Sequence, residues 1–184
     1  MSAKPGLAAK RFAEWTTTLP DDVETTFKLT GDDKIELQGR KILAGALSYV
    51  LTQLDLIPDH EKAGAVDDAF VLRVAYGLAA DYTGKAGTDV ATKVARMTRD
   101  EDELEEFLGE KTFGKLRQYV LDLQEKPVRG RTVDQVLSDA RARGDMKREL
   151  EQQMRKVKPL LIDNETLAQE IEVSIQSYLK MKLK

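Results

Sequence analysis

Apolar residues recur along this chain at spacings of three and four, in segments long enough for several helical turns. Leu7, Phe12 and Trp15 stand among alanines and cations and predict a short amphipathic helix over 7–15. Pro20-Asp21-Asp22 opens a second segment, 22–30. There Val23, Thr25, Phe27 and Leu29 alternate as in a strand, while Val23, Phe27 and Thr30 share a helix face. The helical reading is preferred, because a lone hairpin would have no sheet to join.

Asp33-Lys34-Ile35-Glu36 has the spacing of a capping box with an acid at each end, and predicts a helix start. Ile35, Ile42, Leu43, Ala46, Leu47, Val50, Leu51 and Leu54 follow on a face too broad for a surface helix, so this helix is central. Pro58 disfavours helical geometry at Ile57 and ends it. Residues 67–82 form a second strongly apolar helix, closed at Gly84. Segments 88–97, 102–108 and 113–124 read as further helices, the last stopped by Lys126-Pro127. Arg129-Gly130-Arg131 reads as a linker and Thr132-Val133-Asp134-Gln135 as a second capping box. Gly144 suits the left-handed position after that helix, and 145–157 form another, ended by Pro159. Asn164 caps a last helix with Leu167, Ile171, Ile175, Tyr178 and Leu179 at helical spacing. The expected fold is all-α, a multi-helix bundle organised around a central apolar helical hairpin. Residues 1–126 are expected to form the helical domain holding that hairpin. Residues 127–184 add C-terminal helices, either packed on it or forming a small subdomain.

Composition narrows the function. The chain has 184 residues, 41% hydrophobic and 33% charged, as expected of a folded, charge-rich protein. It has no cysteine, which excludes disulfides, thiolate metal sites and cysteine nucleophiles and agrees with a cytoplasmic location. No secretory signal is visible at the N-terminus. The most apolar run, 42–57, is interrupted by Ser48, Thr52, Gln53 and Asp55, and falls short of the roughly 20 residues of a membrane span. The net charge of −3 hides a balance of −8 over residues 1–110 and +5 over 111–184. Such polarity suits docking between the halves, self-association or an anionic partner; two solvated faces of different composition is the simpler reading.

The most constrained stretch is 45–75, where two apolar helices meet at a turn holding Asp55, Asp59, Asp67 and Asp68. Asp55 sits near a helix C-terminus, where a carboxylate costs about 0.3–1 kcal/mol against the helix dipole. Acceptance of backbone N–H groups of the turn would offset that cost. Asp67 and Asp68 lie in a first helical turn, where negative charge is favourable, and Leu56 and Ile57 can plug the open end of the hairpin. The matching residues Tyr49, Asp55-Leu56-Ile57-Pro58-Asp59, Asp67-Asp68 and the apolar run after them resemble the YkvA-like family, a bacterial domain family of unknown function. Many of its members carry Ser-Pro before the turn where this chain has Thr52-Gln53-Leu54, so the resemblance implies a divergent branch. It covers about residues 39–80 and implies a structural hairpin without assigning an activity.

Familiar catalytic signatures are absent. His60 is the only histidine and lies in a polar turn, so two-histidine metal motifs cannot be assembled. There is no G-x-S-x-G elbow, and Gly84-Lys85-Ala86-Gly87 lacks the spacing of a phosphate-binding loop. Asp55, Asp59, Asp67 and Asp68 offer a candidate oxygen-rich site for Mg²⁺ or Ca²⁺, although helix capping explains each of them singly. Arg129, Arg131, Arg141, Arg143, Arg148 and Arg155 are candidate anion-binding residues on a nucleic-acid phosphate path. Interspersed acids favour a solvated face instead. The leading expectation is a non-catalytic interaction or adaptor module with a protein partner or a second copy of itself. A metal site at the turn and nucleic-acid binding by the basic half are the alternatives.

Overall fold

The computed structural model describes residues 6–52, 55–83 and 88–183. Within them the chain is all-α: α1 (Leu7–Thr30), α2 (Leu37–Val50), α3 (Val66–Thr83), α4 (Thr88–Leu108), α5 (Glu110–Asp122), α6 (Val133–Ser138), α7 (Ala140–Met154) and α8 (Glu165–Lys182), with a 3-10 turn over Leu123–Glu125. Helices α2 and α3 form the hairpin at the centre, with α1, α4 and α5 against α3. Helix α6 packs on α2, and α7 and α8 pack on α1. One apolar cluster runs from Ala9 in α1 to Leu179 in α8 and takes in Leu43 and Leu47 of α2 and Phe70 and Val74 of α3. No described helix is long and apolar enough to cross a membrane.

The segment 22–30 is helical, and it is continuous with the first one. Pro20 lies inside α1 and does not end it. An internal proline removes one backbone hydrogen bond and costs roughly 3 kcal/mol. Phe12, Trp15 and Leu19 on one side and Val23 and Leu29 on the other are all buried, and their shared burial outweighs that cost. The start of α2 also differs from expectation. Asp33 and Glu36 form no capping box: Asp33 pairs with Arg40, and Glu36 is an N-cap without a side-chain bond. The helix begins at Leu37, after a turn that buries Ile35.

Segments 88–97 and 102–108 belong to one helix, because Asp100 and Glu101, which look like a polar break, are buried on its inner face. Gly144 lies inside α7 and is not a left-handed cap; Asp139 ends α6 and caps α7 through Arg141 N. The Thr132–Gln135 capping box forms as expected, and Asn164 caps α8 through Leu167 N. Residues 128–131 make a tight turn, with Arg129 at φ 51° and Gly130 at φ 76°. The expected closure at Gly84, the 84–87 turn and Leu54 lie outside the described residues. One long-range cap ties the start of α1 to α8: Glu172 accepts from Gly6 N and Ala9 N at 3.0 Å each.

Candidate binding site at the interhelical corner

The corner between α2 and α3 is organised by two side chains facing each other across it. Tyr49, one residue before the end of α2, is fully buried and donates its hydroxyl to Asp67 Oδ2 at 2.5 Å. The same hydroxyl accepts from Leu56 N at 2.8 Å, and Asp67 Oδ2 accepts from Ile57 N at 3.0 Å. Two turn amides, which an apolar corner would otherwise leave unpaired, are thus served from the two helices. With those amides fixed, Leu56 and Ile57 are held inward and buried. The expected acceptor was Asp55, but the work falls to Asp67, ten residues from the amide it serves. Asp55 is half-buried, and its own peptide N–H only partly offsets the burial and the charge of Asp59.

Burial governs the acids here. Asp55 is pushed up from 3.8 to about 6, by desolvation first and then by the charge of Asp59. Asp67 is also raised by desolvation, against the hydrogen bonds from Tyr49 and Ile57. Asp68 is raised well above the carboxylate range by desolvation and then by Asp67, Asp55 and Asp59. The Tyr49 hydroxyl is likewise pushed up by burial and by Asp67, which keeps it a donor. Among the described residues, no group of three or more histidine, aspartate or glutamate side chains is placed to hold a metal ion.

After Ile57 the chain folds back tightly: Glu61 N bonds Pro58 O, Gly64 N bonds Glu61 O and Val66 N bonds Ala63 O. Gly64 is required here, because a Cβ on it would meet the Asp59 backbone at 2.8 Å. Pro58 is half-buried, while Asp59 and His60 are exposed. Glu61 accepts from the Tyr178 hydroxyl of α8 at 2.8 Å. Between this loop and residues 153–159, the end of α7 and the segment after it, lies a cleft of about 590 Å³. Asp59, Glu61, Lys62, Asp68, Lys156 and Lys158 carry its charge. A second, more apolar cavity of about 420 Å³ lies between α1 and α7, against Val23, Phe27, Leu150 and Met154.

The candidate anion-binding arginines are largely engaged within the chain. Arg129 donates to Leu51 O, a carbonyl at the end of α2, and it shares Glu149 with Arg131. Arg143 donates to Thr30 Oγ1 and Phe27 O and stacks over the Phe27 ring at 4.3 Å. Arg148 pairs with Asp145. Arg155 borders the apolar cavity, and Arg141 is exposed on α7.

The core also holds a buried ion network that no sequence motif marks. Arg73 of α3 has no exposed surface; its Nε donates to Asp100 Oδ2 at 3.0 Å and its Nη2 lies 3.4 Å from Asp22 Oδ2. Nη1 donates to Ala69 O, and the guanidinium lies 4.4 Å from the Trp15 ring centroid. Asp22 is shared with Arg96, and Asp100 with Arg11. Desolvation lowers Arg73 to about 10, its two aspartates opposing the shift, so it stays charged at neutral pH. The signal was available: a single arginine inside the apolar run 69–76 must find acids in the core.

Residues 40–73 match the model of a family described as a protein of unknown function, DUF1232. The match covers most of α2, the corner and the first part of α3, and it agrees with the resemblance seen in the Tyr49, Asp55–Asp59 and Asp67-Asp68 motif. No curated protein and no solved structure matches the chain.

Proposed function

We propose that this chain is a non-catalytic binding module whose matched hairpin is a scaffold and whose recognition surface is the cleft beside the corner. One observation carries the reading: Tyr49 and Asp67 turn inward to serve the Leu56 and Ile57 amides, whereas Asp68, next in sequence, lines the cleft. Residues spent on backbone amides are unsuited to acid–base chemistry on a substrate. A polar cleft of this volume suits a small molecule or a short peptide segment. The cysteine-free composition supports a cytoplasmic setting.

The test exposes the purified protein to the small-molecule fraction of a bacterial extract and follows thermal unfolding. A rise in melting temperature that Asp68→Asn abolishes supports the reading. An equal rise in both proteins, or none in either, contradicts it. An adaptor role through protein partners or self-association would take the same surface, and pull-down with wild type and Asp68→Asn as baits tests it.

A further inference from the structure

Asp68 is the feature of the corner that the scaffold does not use. It is 8% exposed, and among the described residues no hydrogen bond to its carboxylate is seen; the fully enclosed oxygen without a partner at this corner is Asp67 Oδ1, whereas the Asp68 oxygens reach the cleft. Tyr49 and the Ile57 amide both go to Asp67. What remains of its accessible surface opens into the cleft. A carboxylate buried to this degree without a donor is costly, and natural chains rarely keep one that nothing pairs. Asp59 and Glu61 add negative charge beside it, and Asp67 and Asp55 lie close enough to act on it. The floor of the cleft therefore favours a positive hydrogen-bond donor, whose charge would offset the desolvation and like charges that raise Asp68 and return it to the carboxylate form.

The facing wall has the opposite sign. Lys156 and Lys158 come from the segment after α7, and among the described residues neither is in an ion pair. Lys62 and His60 lie on the loop side of the same cleft. A purely anionic ligand would meet Asp68 unpaired, and a simple cation would leave the lysines uncompensated. A divalent metal wants six or more oxygen ligands, and no described group of three acids is placed to supply even half of them. An ammonium needs only one carboxylate.

We infer that the cleft binds a small amino carboxylate, its ammonium seated on Asp68 and its carboxylate on Lys156 and Lys158. This rests on the cleft being the recognition surface and adds the chemical class of its ligand. The volume admits ligands up to about the size of a dipeptide.

Titration calorimetry with ω-amino carboxylates from glycine to 6-aminohexanoate tests it, with the matching alkylamines, carboxylic acids, MgCl₂ and CaCl₂ as controls. At least one amino carboxylate should bind about tenfold more tightly than its amine-only and acid-only counterparts. Asp68→Asn should weaken it by about tenfold or more. Lys156→Gln/Lys158→Gln should weaken it and leave the amine-only compound unaffected. The lysine variant is exposed and carries the test alone should Asp68→Asn fail to fold. No binding of any member at about 10 mM, binding indifferent to these variants, or Asp68-dependent binding of Mg²⁺ or Ca²⁺ alone overturns the inference. An Asp68-dependent rise with the extract, without binding of this series, removes the ligand class and leaves the binding module standing.

Discussion

The Tyr49 hydroxyl and Asp67 Oδ2 lie 2.5 Å apart across the α2–α3 corner, and each also accepts one turn amide, from Leu56 and Ile57. Asp67→Ala removes one acceptor and strands both the Ile57 amide and the tyrosine hydroxyl. We expect a loss of about 2–4 kcal/mol in urea unfolding, from two buried donors at about 1–3 kcal/mol each with partial relaxation. Asp67→Asn keeps an acceptor oxygen at the same place and should cost clearly less. Equal losses would mean that the charge, and not the acceptor geometry, holds the corner.

Arg73 gives a second prediction. Truncation to alanine leaves Asp22 and Asp100 buried without their shared partner and should cost about 3–5 kcal/mol. Arg73→Lys should recover little, since an ammonium cannot reproduce the fork that meets Asp100, Asp22 and Ala69 O together. Chemical denaturation of the two variants checks this; a lysine variant as stable as wild type would contradict it.

Pro20 predicts the opposite sign. It is exposed and inside α1, so Pro20→Ala restores a helical amide without opening a cavity. Stability should rise by about 1–3 kcal/mol in equilibrium unfolding. A fall would show that the proline shapes α1 to fit its neighbours.

The acids set a pH dependence. Asp55 moves from 3.8 to about 6, and Glu101 from 4.5 to about 7 despite its pairing with Arg117, while Asp67 and Asp68 are also raised, desolvation leading in every case. A carboxylate with a higher pKa folded than unfolded binds more protons when folded, so stability falls as pH rises between the two values. The lowered Glu149 acts in the other direction only below its unfolded value of 4.5. Unfolding free energy should therefore be greater at about pH 5.5 than at about pH 8. Asp55→Asn with Glu101→Gln should reduce that difference. A flat or reversed profile would contradict the assignment.

The parts of the fold legible in the sequence were those where one local signal suffices. The broad apolar faces of α2 and α3, the Thr132–Gln135 box and the Asn164 cap all announce themselves within a few residues. Features that depend on what a residue meets in space were not legible. Pro20 reads as a break until the burial of Trp15, Leu19 and Val23 is known, and Asp100-Glu101 reads as a loop until Arg73 and Arg117 face it. At the site, the motif located the corner, but the division of labour among its aspartates was not visible. Asp55 and Asp67 are equally good acceptors on paper, and only the return of α3 puts Asp67 within reach of the Ile57 amide. The cleft needs residues 153–159, which lie about ninety positions away and carry no motif.

Amide hydrogen exchange at Leu56 and Ile57 tests the scaffold most directly. Both amides should be strongly protected in the wild-type protein. Leu56 should lose protection selectively in Tyr49→Phe, and Ile57 in Asp67→Ala, while amides in the middle of α2 and α3 stay slow. Fast exchange at both positions in the wild type, or protection unchanged in both variants, would show that these side chains do not hold the corner.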